Sequence, residues 1–313
     1  MKQEGKAVSE QVLRDKVVIV TGAGGGIGRE VALKLAEEGA RVVVNDIGVS
    51  LGGQGDRLRP AEEVVAEIHA CGGKAVANHD SVAEWEGAKR MVAQAIESFG
   101  TLDAVVNNAG ILRDGMFYKM TPQDFDAVVQ VHLYGTFYLS RAAADHFRQQ
   151  NSGCFVHMTS TAGLIGNVGQ ANYMAAKLGI AGLSRSIAID MAKFNVRSNC
   201  VAPFADTRMT RSVPVSDDRA AAREARLRAM PASAVASLVG SLMTDACAHI
   251  NGQIFGVRGG EVFVFNQPRP VRSIHHQGGW PMHKLMNLLP KFQSAFSPVS
   301  ELGRTFMWDP VEE

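Results

Sequence analysis

Residues 16–39 read KVVIVTGAGGGIGREVALKLAEEG, and this stretch decides the fold. The run from Lys16 to Val20 is rich in valine and isoleucine and predicts a buried strand. An amphipathic helical pattern follows the glycines and stops at Gly39, a typical residue just past a helix end. A strand, a glycine-rich turn and a helix can bind a dinucleotide pyrophosphate. Glycines let the backbone approach the phosphates, and the helix N-terminus supplies free N–H groups.

The glycine spacing is Gly22-x-x-x-Gly26-x-Gly28, which differs from the common G-x-G-x-x-G pattern but meets the same physical requirements. We therefore predict that the turn, including Ile27, binds a cofactor phosphate. The alternative is a flexible turn that binds nothing. Such a turn needs neither a strand before it nor a helix after it, so the flanking elements favour the cofactor.

A second valine-rich run, RVVVND, ends at Asp46. A carboxylate there can accept hydrogen bonds from the adenosine ribose and would repel a 2′-phosphate. Arg41 opens this run and should lie at its far end, and no arginine adjoins Asp46 in the sequence. The sequence therefore predicts NAD as the cofactor in preference to NADP. The alternative is that Asp46 only caps a loop.

Composition is consistent with one large α/β domain: 313 residues, 46% hydrophobic, with a net charge of +1. The near-neutral charge gives no general attraction to nucleic acid, and no apolar run is long enough to span a membrane. The polar N-terminus carries no signal peptide. The four cysteines are far apart, which favours free thiols in a reducing compartment over disulfides or a metal site.

Strand and helix patterns alternate along the chain, which predicts a doubly wound parallel Rossmann sheet of seven strands with helices on both faces. The predicted helices after the first are 60–70, 85–99, 122–150, a helix from about Tyr173 to Phe194, and 232–243. The predicted strands are 16–20, 41–46, 74–78, 102–107, 154–160, 196–203 and 253–260.

Ligands bind such sheets at the carboxyl ends of the strands. Several polar or small residues follow predicted strands and should meet at this edge. With the glycine turn and Asp46, we expect them to bind the cofactor or the substrate: Asp80, Ser81, Asn108, Ala109, Gly110 and Ser160.

Tyr173 and Lys177 stand four residues apart, and Ser160 precedes the tyrosine by thirteen. Residues four apart project from one face of a helix. A nearby ammonium favours the phenolate, so Lys177 is expected to lower the pKa of Tyr173 from its reference value of about 10. Ser160 can hydrogen-bond the same substrate oxygen. The three residues could thus transfer a proton at an alcohol carbon, or they could be an exposed tyrosine, a surface lysine and a loop serine.

These features resemble the short-chain dehydrogenase/reductase family over about residues 10–265. The resemblance implies that Tyr173 is the general acid/base, that Lys177 also binds the nicotinamide ribose, and that Ser160 positions the substrate oxygen. It implies that residues 108–110 hold the cofactor and the central strand. The motifs that carry it are TGAGGGIG at 21–28, NNAG at 107–110, Ser160 and YMAAK at 173–177.

Longer strings resemble one branch of that family, the (3R)-hydroxyacyl-CoA dehydrogenase part of peroxisomal multifunctional enzymes of type two, also known as a 17β-hydroxysteroid dehydrogenase. They are VVVNDIG at 42–48, GGKAVAN at 72–78, NNAGILRDGMF at 107–117, VHLYGTF at 131–137, GNVGQANYMAAKLG at 166–179 and RMT at 208–210. His132 stands where most of the wider family has an asparagine that holds a relay water. His132 could bind that water through a ring nitrogen, or it could be a packing residue.

Two further departures concern the end of the domain. The usual proline-glycine after the sixth strand is Pro203-Phe204-Ala205, and a cofactor contact is expected through Thr207. We expect no fused hydratase or sterol-carrier parts, and the final PVEE is not a peroxisomal address. We expect a bacterial-type, stand-alone cytoplasmic enzyme, and the resemblance implies a homodimer or homotetramer.

The catalytic domain is predicted to cover residues 1–265, with a substrate loop at about 205–230. The arginines of this loop could grip coenzyme A or could form a solvated helix face. Residues 266–313 are predicted to form an extension, with an extended arm and a short amphipathic helix, that caps a neighbouring subunit or roofs the cleft. The adjacent His275 and His276 have no partner ligands nearby, so no metal site is predicted.

The sequence thus predicts NAD-dependent oxidation of a secondary alcohol to a ketone, with a 3-hydroxyacyl-CoA of fatty-acid or steroid side-chain breakdown as substrate. One alternative is a dehydrogenase for free hydroxysteroids or other alcohols on the same fold. Another is a non-catalytic NAD-binding regulator, which the presence of Ser160, Tyr173 and Lys177 disfavours.

Overall fold

The computed structural model describes residues 11–48, 59–205, 230–297, 299 and 305. The described residues form an eight-stranded sheet with strand order β3-β2-β1-β4-β5-β6-β7-β8. The strands are β1 Val17–Thr21, β2 Arg41–Asn45, β3 Lys74–Asn78, β4 Ala104–Asn107, β5 Gly153–Met158, β6 Val196–Phe204, β7 Ile254–Arg258 and β8 Glu261–Val264. The order reverses between β1 and β4, as in a doubly wound sheet, so the prediction of a Rossmann-type α/β fold is confirmed.

Helices cover both faces of the sheet. They are α1 Gly26–Glu37, α2 Pro60–Ala70, α3 Trp85–Phe99, α4 Pro122–Val129, α5 Gly135–Gln150, α6 Thr161–Leu164, α7 Ala171–Asp190, α8 Ala232–Ser241 and α9 Met282–Leu288. Alternate residues of a strand point to opposite faces. Val18 and Val20 pack with α1, α2 and α8, whereas Val17 and Ile19 pack with α3 and α5. This burial on both faces explains why the strands are continuous apolar runs.

The predicted number of seven strands was wrong. The first seven strands run parallel, and an eighth pairs antiparallel with β7, with Gly256 opposite Phe263 and Arg258 opposite Glu261. Gly259 and Gly260 form the two-residue connection, and Gly259 has a φ of 56°. Two residues suffice to join antiparallel neighbours. A four-residue edge strand after two glycines is too short to give a clear pattern in the sequence.

The helix that begins at Pro122 contains a local irregularity. Thr121 caps it, since its Oγ1 accepts a hydrogen bond from the Asp124 N–H at 3.1 Å. The chain then passes through a π-helical turn, Gln130–Tyr134, before α5 continues to Gln150. Such turns disturb the regular backbone pairing and often occur at functional sites. His132 lies in the middle of this one.

Hydrogen bonds near its start attach the described chain after β8 to the rest of the domain. Phe265 donates its N–H to the carbonyl of Ile254, and Gln267 donates to the carbonyl of Gly252. Helix α9 has no buried residue. In the described parts of the chain, no helix has both the length and the apolar character that crossing a bilayer requires.

Candidate active site

The glycine turn lies tightly against the end of β4. Gly22 has a φ of +62°, and a Cβ there would be 2.8 Å from Ala109 Cα. A Cβ on Gly28 would be 2.3 Å from the Gly22 carbonyl oxygen. Asn108 holds the turn, since its Nδ2 donates to the Thr21 carbonyl at 2.9 Å. Residues larger than glycine would therefore push the turn away from the central strands.

The N-terminus of α1 has no side-chain cap. Gly25 is its N-cap residue, and the helix runs from Gly26 for twelve residues. The first-turn N–H groups of a helix lack intrahelical partners and attract anions. This donor set fits a dinucleotide pyrophosphate and would hold its phosphate oxygens, as the sequence predicts for Gly22, Gly26, Ile27 and Gly28.

Asp46 follows β2 and turns its carboxylate toward the glycine loop. Its Oδ2 accepts from the Gly24 N–H and its Oδ1 from the Gly48 N–H, both at 2.9 Å. A Cβ on Gly24 would be 2.8 Å from Asp46 Oδ2 and 2.6 Å from Pro60 Cβ. Gly24 is thus the residue that lets the carboxylate approach. Arg59 directly precedes Pro60, so an arginine lies nearer to Asp46 in space than their separation in the sequence indicates.

Asp80 and Ser81 follow β3 at the same edge. The Asp80 carbonyl accepts from Asn45 Nδ2 at 2.8 Å, which fixes it beside the end of β2. The Asp80 carboxylate forms an ion pair with Arg90 at 2.6 Å. Ser81 Oγ accepts from the Ala83 N–H at 3.2 Å. The structure therefore places both residues next to the Asp46 end of the proposed cofactor site.

Ser160 and Tyr173 meet at the end of β5. Ser160 is the N-cap of α6, and its Oγ accepts from the Ala162 N–H at 3.1 Å. The Ser160 hydroxyl also lies close enough to the Tyr173 hydroxyl for an interaction that by itself lowers the pKa of the phenol. Burial outweighs this interaction, and the pKa of Tyr173 is raised to about 12, with a small further rise from the charge of Asp114. The ring itself is half-buried.

Lys177 is buried beside Tyr173. Its Nζ lies 5.6 Å from the centroid of the tyrosine ring and donates to the Met158 carbonyl at 2.6 Å. Burial lowers the pKa of Lys177 to about 7. Its charge is therefore only partial near neutral pH. The expectation that Lys177 lowers the pKa of Tyr173 from its reference value was wrong here, because desolvation of the phenol dominates.

Helix α7 is held in place by contacts at both residues of the pair. Thr159 Oγ1 donates to the Lys177 carbonyl at 2.7 Å, which ties α7 to the end of β5. Asn172 is fully buried, and its Nδ2 donates to the Arg113 carbonyl at 2.8 Å and the Asp124 carbonyl at 3.1 Å. Its Oδ1 accepts from the Tyr173 N–H at 2.7 Å. The position of Tyr173 is thus fixed by three separate segments.

His132 is buried, and one of its ring nitrogens has no hydrogen-bond partner among the described residues. It is 2% exposed, and its Nε2 lies 2.8 Å from the carbonyl oxygen and 3.1 Å from the nitrogen of Ile111. Its ring meets the edge of Tyr173 at a right angle, with centroids 5.3 Å apart. Nδ1 is buried without a hydrogen-bond partner. Burial and the Lys177 charge lower the pKa of His132 to about 3, so the ring is neutral.

Gly110 makes room for this histidine. A Cβ on Gly110 would be only 2.2 Å from His132 Cε1 and 2.9 Å from both ring nitrogens. The glycine of the NNAG string is therefore required by the imidazole that packs on it. The structure brings the π-helical turn, residues 110–111 and Tyr173 into one contact group.

The sequence reasoning missed a second buried histidine. His157 lies in β5 and is fully buried; its Nδ1 is 3.0 Å from Asn107 Nδ2 and its Nε2 is 3.0 Å from Ser198 Oγ. Ser198 Oγ in turn lies 2.8 Å from Ser184 Oγ on α7. This chain links the end of the central strand to the helix of Tyr173. Its only signal in the sequence is one histidine inside an apolar strand.

The remaining predicted contacts lie outside the described residues. They include Thr207 and the loop arginines from Arg208 to Arg228. Within the described residues, no group of three histidine, cysteine or acidic side chains is arranged to hold a metal ion.

A family profile described as short chain dehydrogenase matches residues 16–217, which include the glycine turn, Ser160, Tyr173 and Lys177. This chain belongs to the short-chain dehydrogenase/reductase family. Members use a nicotinamide cofactor and act on hydroxyl or keto groups, which agrees with an enzyme whose donors and carboxylates line the same sheet edge.

Relatives within the short-chain dehydrogenase/reductase family match most of the chain. Peroxisomal multifunctional enzyme type 2 of Mus musculus is 44% identical over 85% of this chain, which spans only 35% of that protein. Hydroxyacyl-CoA dehydrogenase ChsB1 of Mycobacterium tuberculosis is 37% identical over 94% of this chain and 93% of its own length. The predicted resemblance to the multifunctional-enzyme branch is confirmed.

A solved structure extends the likeness to the whole fold. A short chain dehydrogenase from Mycobacterium avium is 40% identical, with a TM-score of 0.80 over 93% of this chain and 98% of its own. The match covers more than the predicted catalytic domain and therefore reaches into the segment after β8.

Proposed function

We propose that this chain oxidises the secondary alcohol of a 3-hydroxyacyl-CoA, from fatty-acid or steroid side-chain breakdown, to a ketone with NAD. The observation that carries the proposal is the Ser160–Tyr173–Lys177 cluster at the sheet edge that also holds the glycine turn. The substrate class is supported by a relative named hydroxyacyl-CoA dehydrogenase, which aligns over nearly its full length.

In this proposal Tyr173 acts as a phenolate that accepts the proton of the substrate hydroxyl, and Ser160 donates a hydrogen bond to the same oxygen. NAD would, when bound, supply the hydride acceptor and a positive charge that favours this phenolate. Because burial raises the pKa of Tyr173, the phenol must lose its own proton before it can take that of the substrate, and the phenolate is then a strong base. Lys177, with a pKa of about 7, can exchange a proton near neutral pH.

The choice of NAD over NADP depends on Asp46. Its carboxylate is fixed by two backbone N–H groups, so an approaching 2′-phosphate would meet a negative charge that cannot turn away. Arg59 would favour NADP, because it directly precedes Pro60, which packs on Gly24 in the glycine turn. We propose that the anchored carboxylate prevails and that the ribose hydroxyls bind to it.

The decisive experiment compares Tyr173→Phe with Tyr118→Phe, which removes the hydroxyl of an exposed tyrosine (75% exposed). Substrates are (3R)- and (3S)-hydroxyacyl-CoAs of several lengths and free hydroxysteroids, each with NAD and with NADP. We expect the wild type to oxidise hydroxyacyl-CoAs. Tyr173→Phe should abolish this oxidation without loss of NAD binding. Turnover of free hydroxysteroids alone would support the alternative dehydrogenase. NAD binding without turnover of any alcohol would support the regulator.

We also propose that the enzyme works as a homodimer or homotetramer in a reducing compartment, the cytoplasm. Cys71, Cys154, Cys200 and Cys247 are all free thiols, which suits such a compartment. Val262 and Val264 of the edge strand β8 are 57% and 60% exposed. The predicted extension from residue 266 follows directly and would contribute to subunit contacts, which light scattering of a chain truncated after 265 would test.

A further inference from the structure

Two loops face each other beside Tyr173. One, residues 111–115, follows the NNAG string; the other, residues 166–170, leads into α7. The Gly115 N–H donates to the Gly169 carbonyl at 2.8 Å. The buried Asn172 adds a second link through the Arg113 carbonyl. Both loops are therefore held rigidly relative to the Tyr173 phenol.

A directed chain of hydrogen bonds runs between these loops and ends on a carboxylate. Asn167 Nδ2 donates to Gln170 Oε1 at 2.8 Å, and Gln170 Nε2 donates to Asp114 Oδ2 at 2.9 Å. Gln170 uses its acceptor on one side and its donor on the other. Asp114 thus ends the chain, because an ionised carboxylate accepts hydrogen bonds and has no proton to donate.

The Asp114 carboxylate keeps acceptor capacity for a further group. A carboxylate has about four acceptor positions, and the hydrogen bond from Gln170 is the one that the described residues give it. Asp114 lies close enough to Tyr173 for its charge to raise the pKa of the phenol. Partial desolvation raises the pKa of Asp114 itself. Asp114 is exposed and fixed by Gln170 beside the catalytic phenol, so its carboxylate is open to receive a donor from the substrate.

We propose that Asp114 is a specificity-determining residue that accepts a hydrogen bond from an amide N–H of the substrate, the one next to the thioester in the coenzyme A arm. This inference rests on the proposed function, because it needs the substrate alcohol at Tyr173 and a thioester arm that leaves the site past the loops 111–115 and 166–170. The nucleotide site is not involved: Asp46 and Asp80 lie at the ends of β2 and β3, on the other side of β1. Gln170 acts as a positioning residue that holds the carboxylate.

The test compares wild type, Asp114→Asn and the charge-matched control Asp126→Asn on two substrates. One is a 3-hydroxyacyl-CoA; the other is the ethyl ester of the same hydroxy acid, which has no amide N–H. Asparagine keeps the side-chain volume and can still accept from Gln170. We expect Asp114→Asn to raise KM for the thioester about tenfold, as for loss of one charge-assisted bond, with little change in kcat. KM for the ester and for NAD should stay within about twofold.

Gln170→Leu is the second variant, since it releases the carboxylate without removing it. It should raise KM for the thioester by a smaller factor and leave the ester unchanged. Equal loss on both substrates, or a lower KM for the thioester in Asp114→Asn, would overturn the inference while leaving the proposed function intact. Failure of the wild type to oxidise any hydroxyacyl-CoA would overturn the proposed function, and this inference with it.

Discussion

The contact between Gly110 and His132 gives the sharpest test of how the active-site region is built. A Cβ added to Gly110 would be 2.2 Å from His132 Cε1, far inside any contact distance that real Cβ atoms show. The imidazole is 2% exposed and cannot move without giving up its hydrogen bond with Ile111 and its contact with Tyr173. Gly110→Ala should therefore damage stability and catalysis together.

The size of the effect can be estimated from the two interactions that are lost. Forced overpacking of a core costs about 1–3 kcal/mol, and a buried neutral hydrogen bond contributes about 1 kcal/mol. We therefore expect Gly110→Ala to lower the free energy of unfolding by about 2–4 kcal/mol. Turnover should fall at least tenfold, because the Tyr173 ring loses the edge against which it packs.

Urea unfolding, followed by fluorescence and circular dichroism, measures the first effect, and alcohol oxidation measures the second. Gly115→Ala is the matched control. It lies in the same loop region, and a Cβ there meets no atom within 4 Å. The control should change stability by no more than about 0.5 kcal/mol.

A double mutant separates this clash from any general fault of alanine at position 110. Asparagine at position 132 is shorter than histidine and removes the atom that collides, so Gly110→Ala should cost less in a His132→Asn background. We expect a favourable coupling energy of about 1–3 kcal/mol, typical of residues in contact. Additive effects of the two substitutions, or a fully stable and active Gly110→Ala, would refute the reasoning.

The other predictions concern protonation and cofactor choice. His132 and His157 both have their pKa lowered to about 3 by burial, so the unfolded chain binds more protons than the folded chain below pH 6.5. The free energy of unfolding should therefore fall as the pH drops from 6.5 toward 3, by up to about 1.4 kcal/mol per pH unit per histidine. His157→Asn should roughly halve that slope, measured from denaturation curves at several pH values. Lys177 has its pKa lowered to about 7, so the free energy of unfolding should rise from pH 7 to about pH 9. Above about pH 9 the raised pKa of Cys200 opposes this rise. Lys177→Met should flatten the rise, and an unchanged curve would contradict the lowered pKa of Lys177. Asp46→Asn should reduce the preference for NAD over NADP about tenfold, measured as the ratio of the two kcat/KM values, and an unchanged ratio would show that Asp46 does not discriminate.

Periodic apolar patterns predicted the framework of the molecule well. Helices 60–70 and 85–99 begin and end where expected, because Pro60 opens the first and Gly100 closes the second with a φ of 86°. The first strand, the turn and α1 also follow their pattern. These features depend on local chemistry, which the sequence displays directly.

Features that depend on distant contacts were not predictable. Asn172 is one residue from Tyr173, yet its role depends on a carbonyl 59 residues away. The pKa of Tyr173 depends on how deeply the phenol is desolvated, which a four-residue spacing to Lys177 cannot indicate. The sequence offered His132 as a candidate, but only the structure shows that Ile111 and Gly110 surround it.

The antiparallel strand β8 sets where the polypeptide leaves the domain. β7 carries the chain toward the edge that holds Tyr173, and β8 carries it back, so that Phe265 bonds to Ile254 at the opposite end of the sheet. Any module joined after residue 265 would start from the side away from the catalytic groups. The point of attachment and the point of reaction therefore lie at opposite ends of the same sheet, and a segment attached there starts away from the cleft.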